Sequence, residues 1–516
     1  MVLFNIFKRK KNMEKKVKLV SPSIMGIETE YGITADASFF TSRSPSQGRV
    51  ELCKRVLEAH PSAEANWNYE LETPLLDMRG FTASFDDSDK TGYDHGGRAP
   101  AHDKMLANGA RFYIDMDHPE YSTPECASAL DLVARDKAGE FIVGRAADKV
   151  NRTEGIGVKI YKHNTDFKGR SFGCHEGYLA RRDIPLERII SAMVPFLVTR
   201  QVFCGSGKVG GESSGRYGGS DVDYQISQRA DFISSVVGVQ TTRDRPVFNT
   251  RDEPHADGSV YRRIHVILGD ANMSEWSTYL KCGTTNLVIK AIEAGFLEDP
   301  VSIDEPVSAL RLISRDLGCK GVFPTSEGNI SAIDLQELYV AAVLRLGERG
   351  LLGAADNDVI SRWQEVLSAL RSDPMQLGER LDWVIKYQLL DSLKLKRGWA
   401  DRSWEMKGAD MQYHRVDGKK GLYSFLCDEG RVERLVDDAS VVRAVRYPPK
   451  DTRAYFRGNV IRYFPDEISC INWESIGFVG GDSIHFNPDS LTEDRTGSLF
   501  ESSESISELL EAVRKR

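Results

Sequence analysis

The chain has 516 residues and a formal net charge of −8, with 41% hydrophobic and 28% charged residues. Those fractions are those of a soluble globular protein with a sizeable core, and the length predicts about two to four domains. No apolar run approaches the roughly 18 residues of a membrane span, and the acidic balance argues against general nucleic-acid binding while leaving room for a local basic groove.

The first twenty residues, "MVLFNIFKRKKNMEKKVKLV", put a short apolar start before a lysine-rich block, the reverse of a secretory signal, and read as a disordered basic arm over 1–23. Met13 and Met25 offer alternative starts. "IMGIETEYGIT" (24–34) predicts a first strand and 47–60 a short helix. Residues 61–107 read as mostly irregular, with a long flexible loop over about 71–107 in which "FDDSDKTGYDHGGRAPAHDK" lacks periodicity; a structureless loop of that length is usually functional or disordered. In "NGARFYIDMDHPEYSTPE" (108–125), alternation predicts a strand with Phe112, Ile114 and Met116 on one face and Arg111, Tyr113, Asp115 and Asp117 on the other. A helix follows at 128–150, with Leu130, Val133, Ala134 and Ala138 on its inner side, and a strand-like stretch at 157–166.

Helices are predicted at 187–200, 284–296, 305–316, 333–347, 357–371 and 377–395, with β-like stretches at 224–242 and 261–272. From about 440 a small mixed domain begins, ending in a helix at 505–515. The expected class is α+β, a large domain over 24–439 followed by a small one over 440–516. The eight cysteines show no C-x-x-C pair and no zinc spacing, which predicts reduced thiols and a cytoplasmic location.

Several clusters carry chemistry. Glu28 and Glu30 share a strand face, and two carboxylates so placed repel unless a cation sits between them; hard oxygen donors suit Mg²⁺ or Mn²⁺ beside a nucleotide phosphate. An exposed, deliberately charged edge strand would look the same. His175 and Glu176 stand between glycines in "SFGCHEGYL". "NTRDEPHAD" gathers Arg251, Asp252, Glu253, His255 and Asp257, and Arg262, Arg263 and His265 follow; arginine grips phosphate bidentately. Each cluster alone reads as a solvated surface, but their recurrence on β-like segments predicts one sheet face lined with metal ligands and phosphate clamps. There is no P-loop and no strand–helix G-x-G-x-x-G; "GSGKVGG" (205–211) has neither spacing.

"GIETEYGI", "NGARFYIDMDHPEYSTPE", "SFGCHEGYLARR", "LVTRQVFCGSGKVG", "NTRDEPHAD" with "YRRIHVILGDAN", and "DTRAYFRG" together resemble the Pup ligase/depupylase family of the bacterial proteasome system, from about Ile24 to near the C-terminus. Two features resemble its depupylase branch: about 40 residues, including "NWNYELETPLLDMRGF", separate the first helix from the "NGAR" strand, and Asp115-Met-Asp-His118 is one residue shorter than the ligase spacing. The resemblance implies a glutamine-synthetase-like antiparallel sheet cradle that binds ATP and Mg²⁺. It implies Glu28, Glu30, Tyr113 and Glu120 as metal contacts, Arg111 and Thr123 as ATP contacts, Trp473 packed on the nucleotide, and Asp115 as the catalytic carboxylate. His175 and His255 are implied as metal contacts and Arg251 and Arg263 as phosphate contacts. Gly177 departs from the family's asparagine. The implied activity is hydrolysis of a γ-carboxamide, either the C-terminal glutamine of Pup or its isopeptide bond to a substrate lysine, with Pup and pupylated proteins as partners. The alternatives are a Pup ligase, a small-substrate ligase such as glutamate–cysteine ligase, and a non-catalytic Pup-binding module.

Overall fold

A computed structural model describes residues 20–60, 64–69, 72–84, 102–212 and 222–515. The basic arm up to residue 19 and the loop expected around 71–107, in its part from 85 to 101, lie outside the described residues.

The organising element is a seven-stranded sheet whose strands, in chain order, are β1 (Met25–Glu30), β2 (Glu64–Asn66), β3 (Asp103–Leu106), β4 (Arg111–Asp115), β5 (His118–Ser122), β6 (Cys174–Arg181) and β7 (Tyr261–Val266). Their spatial order is β7-β6-β1-β5-β4-β3-β2, every pair antiparallel. The α+β class is therefore correct, with the sheet more extended than the sequence indicates: β2 and β3 fall in the stretch read as irregular. They are three and four residues long, too short to display a period.

Period-two alternation splits the sheet into a wet face and a dry face. The dry face carries Ile27, Phe112, Tyr121, Tyr178, Ile264 and Val266 into the core. Against it pack α1 (Pro45–Glu58), α2 (Ala129–Glu154), α3 (Leu186–Thr199) and α4 (Glu275–Glu293). Helix α1 starts at a capping box between Ser44 and Gln47; α2 is capped by the Ser128 hydroxyl and ends at Gly155, whose φ of 66° only glycine adopts freely. Where α2 crosses the sheet, Gly139 allows contact with Tyr121: a Cβ there would lie 2.5 Å from the ring.

Several expectations need correction. Leu130, placed on the inner side of α2, is exposed. The strand opened by Arg111 ends at Asp115: Met116 turns left-handed (φ 51°) and is 58% exposed rather than in the core, so Met116 and Asp117 form the hairpin turn into β5. Helix α4 begins nine residues before the expected 284, because "EWSTYLKCGTT" is buried on all sides and shows no amphipathic stripe. The stretch 157–166 is strand only over Lys159–Tyr161. Helices at Trp404–Tyr413, Leu422–Asp428, Asp438–Arg446, Ala454–Tyr463 and Glu493–Ser502 were not anticipated.

Towards the C-terminus, a three-stranded sheet (Ile468–Ile471, Ser475–Phe478, Ser483–His485) packs with Phe456, Val460 and Leu509. The same cluster takes in Ala65, Trp67 and Met105, so this part docks on the β2–β3 edge of the large sheet. Helix Asp438–Arg446 lies against α2 and sends Ala444 into the large core. All eight cysteines are free thiols. No helix among the described residues is long and apolar enough to cross a membrane.

Candidate active site

The strand registers bring the acidic residues together on the wet face. Glu28 lies opposite both His175 and Ser122, Glu30 opposite Glu120, Glu120 opposite Tyr113, and Asp115 opposite His118. Two ligand clusters result. Glu30, Asp115 and Glu120 each bring a carboxylate oxygen within 4.8 Å of the other two, and Glu28, His175 and His265 do the same with a carboxylate and two imidazoles.

The electrostatics follow from this crowding. Burial, then the charges of Glu30 and Glu28, push the Asp115 carboxyl up to about 7. Glu120 is raised well above the carboxylate range by burial and by Glu28, Asp115 and Glu30. Glu28 goes the other way: burial pushes it up, but hydrogen bonds and charges from His175 and His265 outweigh that and hold it well below the usual value. Its carboxylate is 3.2 Å from His175 Nδ1 and 3.8 Å from His265 Nε2, and accepts a hydrogen bond from the Tyr113 hydroxyl at 3.0 Å. Both ring nitrogens of His265 are buried without a hydrogen-bond partner. Three mutually repelling carboxylates and an unsatisfied imidazole are the donor set a divalent cation would complete, the all-oxygen cluster suiting Mg²⁺ best.

Beside Glu28 the sheet opens into a pocket whose floor is bare peptide at Gly26 and Gly177, which face each other across β1 and β6. Thr123, His255, Arg263, Arg453 and Trp473 form walls around it. A Cβ at Gly177 would meet only the Arg263 side chain, at an ordinary 3.5 Å or more, so the glycine is not forced by packing. Arg263 and Arg251 each approach Glu253 at 3.6 Å. His255 holds a left-handed backbone (φ 48°) and stacks obliquely near Trp473; burial and the charges of Arg263 and Arg453 keep its imidazole neutral. A flat wall, two guanidiniums and a neutral imidazole suit an aromatic, anionic ligand such as a nucleotide.

The sequence-predicted residues therefore fall into place unequally. Glu28, Glu30, Glu120, His175 and Asp115 converge in the two clusters, and Tyr113 joins through Glu28. Thr123, Arg263 and Trp473 line the pocket; the Thr123 hydroxyl accepts the Ile27 N–H at 3.0 Å. His255 belongs to the pocket and to none of the ligand clusters among the described residues. Arg111 is held bidentately by Asp103 (2.9 and 2.6 Å) and sandwiched between Trp67 and Tyr113, 3.9 and 4.0 Å from their ring centres. Glu176, adjacent to His175 in sequence, points to the dry face, paired with Arg200 at 2.6 Å. Lys208 of the glycine-rich stretch is fully buried on Glu212 at 2.8 Å and holds the fold.

His265, noted in the sequence beside Arg263 but not assigned as a metal ligand, joins Glu28 and His175 in a ligand cluster. Sequence reasoning missed Glu125, which binds Arg453 (2.7 Å) and Arg457 (2.5 Å) and ties the pocket to the C-terminal part; those arginines sit four apart in "DTRAYFRG". His118, facing Asp115, donates from Nε2 to Asp117 at 3.0 Å, and Asp117 in turn holds Arg49.

A family model described as Pup-ligase protein matches residues 23–477. The chain belongs to the Pup ligase family. Within that family it is 42% identical to the depupylase of Acidothermus cellulolyticus over 504 residues, covering 95% of this chain and 99% of the relative. It is 39% identical to the Pup deamidase/depupylase of Mycolicibacterium smegmatis over 511 residues, with 95% and 99% coverage. A Pup–protein ligase from Acidimicrobium ferrooxidans is 42% identical over a shorter 447 residues, covering 85% of this chain and 88% of that one. Among solved structures, the complex between Pup and its ligase PafA superposes with a TM-score of 0.74 at 28% identity, covering 96% of this chain and 92% of that one. PafA in complex with ADP superposes with a TM-score of 0.71 at 30% identity, covering 84% and 95%.

Proposed function

We propose that this chain is a Pup deamidase/depupylase: a hydrolase that converts the C-terminal glutamine of Pup to glutamate and cleaves the isopeptide bond joining Pup to substrate lysines. The observation that carries it is Asp115, set at the end of β4 in a carboxylate cluster beside a nucleotide-shaped pocket. Full-length kinship to depupylases supports hydrolysis over ligation, as do the extra residues between α1 and β4 and the two-residue Asp115–His118 turn. The wet face would be the cradle of a glutamine-synthetase-like site.

Glu30, Asp115 and Glu120 would hold Mg²⁺, with Glu28, His175 and His265 as a second set. Thr123, Arg263, Arg453 and Trp473 would hold ATP, with Arg251 reaching the phosphate end. When bound, Mg²⁺ would supply positive charge to stabilise the oxyanion developing on the scissile side-chain carbonyl, with the guanidiniums of Arg251 and Arg263 beside it. Asp115 acts either as the nucleophile on the side-chain carbonyl carbon or as the base that takes the proton from attacking water. Both roles start from its ionised form, which the cation would restore against Glu28 and Glu30. His118, opposite it, contributes a fixed donor array that holds the hairpin turn. One chemistry serves both substrates, since ammonia and a lysine amine are alike leaving groups of the same carboxamide.

The test is release of free Pup from a pupylated protein by the purified chain with ATP and Mg²⁺, read on gels. Cleavage without stoichiometric ADP supports the hydrolase; new conjugates formed from glutamate-ended Pup with ADP release establish the ligase instead.

A further inference from the structure

Glu253 is a negative charge set against the two arginines of a site that takes a phosphate. Its side chain is buried, and one of its oxygens, Oε2, lies 3.6 Å from both Arg251 Nη1 and Arg263 Nη2. The other, Oε1, accepts the backbone N–H of Thr73 at 2.8 Å. The carboxylate is thus anchored through one oxygen and offers the second to two guanidiniums at once.

At 3.6 Å neither contact is a hydrogen bond, so the attraction is Coulombic and easily shared. Two cations against this one carboxylate leave a positive excess, close enough to Asp115 for the charge of Arg251 to act on it. Burial lowers the Arg263 guanidinium from its ordinary value; Glu253 and Glu28 work against that, and the charge of Arg251 adds to it. Arg263 Nε is buried without a hydrogen-bond partner among the described residues. Two guanidiniums converging on one anionic oxygen is also how arginines receive a phosphate oxygen. Glu253 therefore holds the pair in the posture a phosphate needs, while its own charge opposes the phosphate's arrival.

We propose that Glu253 is a positioning residue and a stand-in anion: it keeps Arg251 and Arg263 together until a nucleoside polyphosphate binds, yields them to its phosphates, and thereby limits how tightly that nucleotide is held. The inference rests on the reading of the pocket as a nucleotide site. It gives the charge two opposite effects. Without nucleotide, Glu253 stabilises the fold, because buried guanidiniums stripped of an anion are costly. With nucleotide, it repels the phosphates. Removing the charge alone should weaken the empty protein and strengthen binding, a pairing of signs that simple damage to the fold does not give.

The experiment compares the wild type, Glu253→Gln and Glu253→Asp by thermal denaturation with and without ATP and Mg²⁺, and by calorimetric Kd for ATP and for adenosine. Glutamine keeps the volume and an oxygen for the Thr73 N–H; aspartate keeps the charge. Glu253→Gln is expected to melt below the wild type without nucleotide, to bind ATP about tenfold tighter, and to gain a larger ATP-dependent shift, with adenosine affinity unchanged. The ATP concentration that half-saturates Pup deamidation falls by the same factor, and KM for Pup does not move. Glu253→Asp is expected to stay at the wild-type ATP affinity. Equal or weaker ATP binding by Glu253→Gln, adenosine affinity that moves with it, or Glu253→Asp behaving as Glu253→Gln overturns the inference while the nucleotide reading stands. Should Glu253→Gln unfold without nucleotide, rescue of its melt by ATP and not by adenosine supports the inference, and no rescue overturns it. A wild type that binds neither ATP nor adenosine overturns the nucleotide reading, and the inference with it.

Discussion

At the scale of single residues, the site is a store of like charge. Burial and the charges of Glu28 and Glu30 raise Asp115 and Glu120, and push the Asp115 carboxyl up to about 7. A carboxyl raised above its unfolded value contributes full stability only below that unfolded value, and its contribution falls as pH climbs towards 7. Asp115→Asn is therefore expected to abolish hydrolysis, by at least about 10²-fold, and yet to raise the denaturation temperature of the metal-free protein at pH 8. Thermal denaturation in EDTA beside an activity assay checks both; a variant that loses activity and stability together would mean that Asp115 holds the fold. Tyr113 and Glu28 were legible as site residues because strand alternation aims them to the same side. His265 stood out for its spacing from Arg263, but its role beside Glu28 and His175 shows only once the strands are paired. Arg111, an ATP contact by the family resemblance, is held by Asp103, which comes from a strand too short to see.

At the scale of elements, two contacts decide how firmly the site is held. Glu125, three residues beyond the end of β5, bridges Arg453 and Arg457, its carboxyl held down to about 2: burial opposes this, but the two guanidiniums win. Its stabilisation is fully present above its ordinary value of 4.5 and is lost as pH falls towards 2. Glu125→Gln leaves two buried arginines short of a counter-charge and is expected to cost about 3 kcal/mol and to flatten the acid limb of a stability-versus-pH curve over that window. Urea denaturation at pH 7 and pH 3 measures it, and equal losses at both pH values would contradict the assignment. In α2, alanine at Gly139 would gain about 1 kcal/mol of helix propensity, but its Cβ would meet the Tyr121 ring, which is itself fixed by a hydrogen bond from Asn108 to its hydroxyl. The clash is expected to win, with a net loss of about 1–2 kcal/mol by urea denaturation; a stabilised Gly139→Ala would show that the sheet can shift. Most helices were legible because one face is apolar. Helix α4 lost its first half to complete burial, and the short helices between 404 and 463 are spaced by tertiary packing that no local period announces.

At the scale of the whole molecule, the site is closed from both ends of the chain. β1 and the 248–270 region build the sheet face, while Arg453 and Trp473 arrive from the C-terminal part to wall the pocket. We propose that 440–516 acts as a cap on the sheet edge. ATP with Mg²⁺ is then expected to stabilise the wild type against heat, by about 2.7 kcal/mol at a hundredfold excess over Kd. Glu30→Gln is expected to lose the Mg²⁺-dependent share of that shift in a thermal-shift titration, and an unchanged shift would remove Glu30 from the metal set.

The most direct measurement is the mass of glutamine-ended Pup after incubation with the purified chain, ATP and Mg²⁺, beside an Asp115→Asn control. The account predicts conversion of the terminal glutamine to glutamate by the wild type and none by the variant. Unchanged Pup with the wild type, or equal conversion by Asp115→Asn, would contradict it.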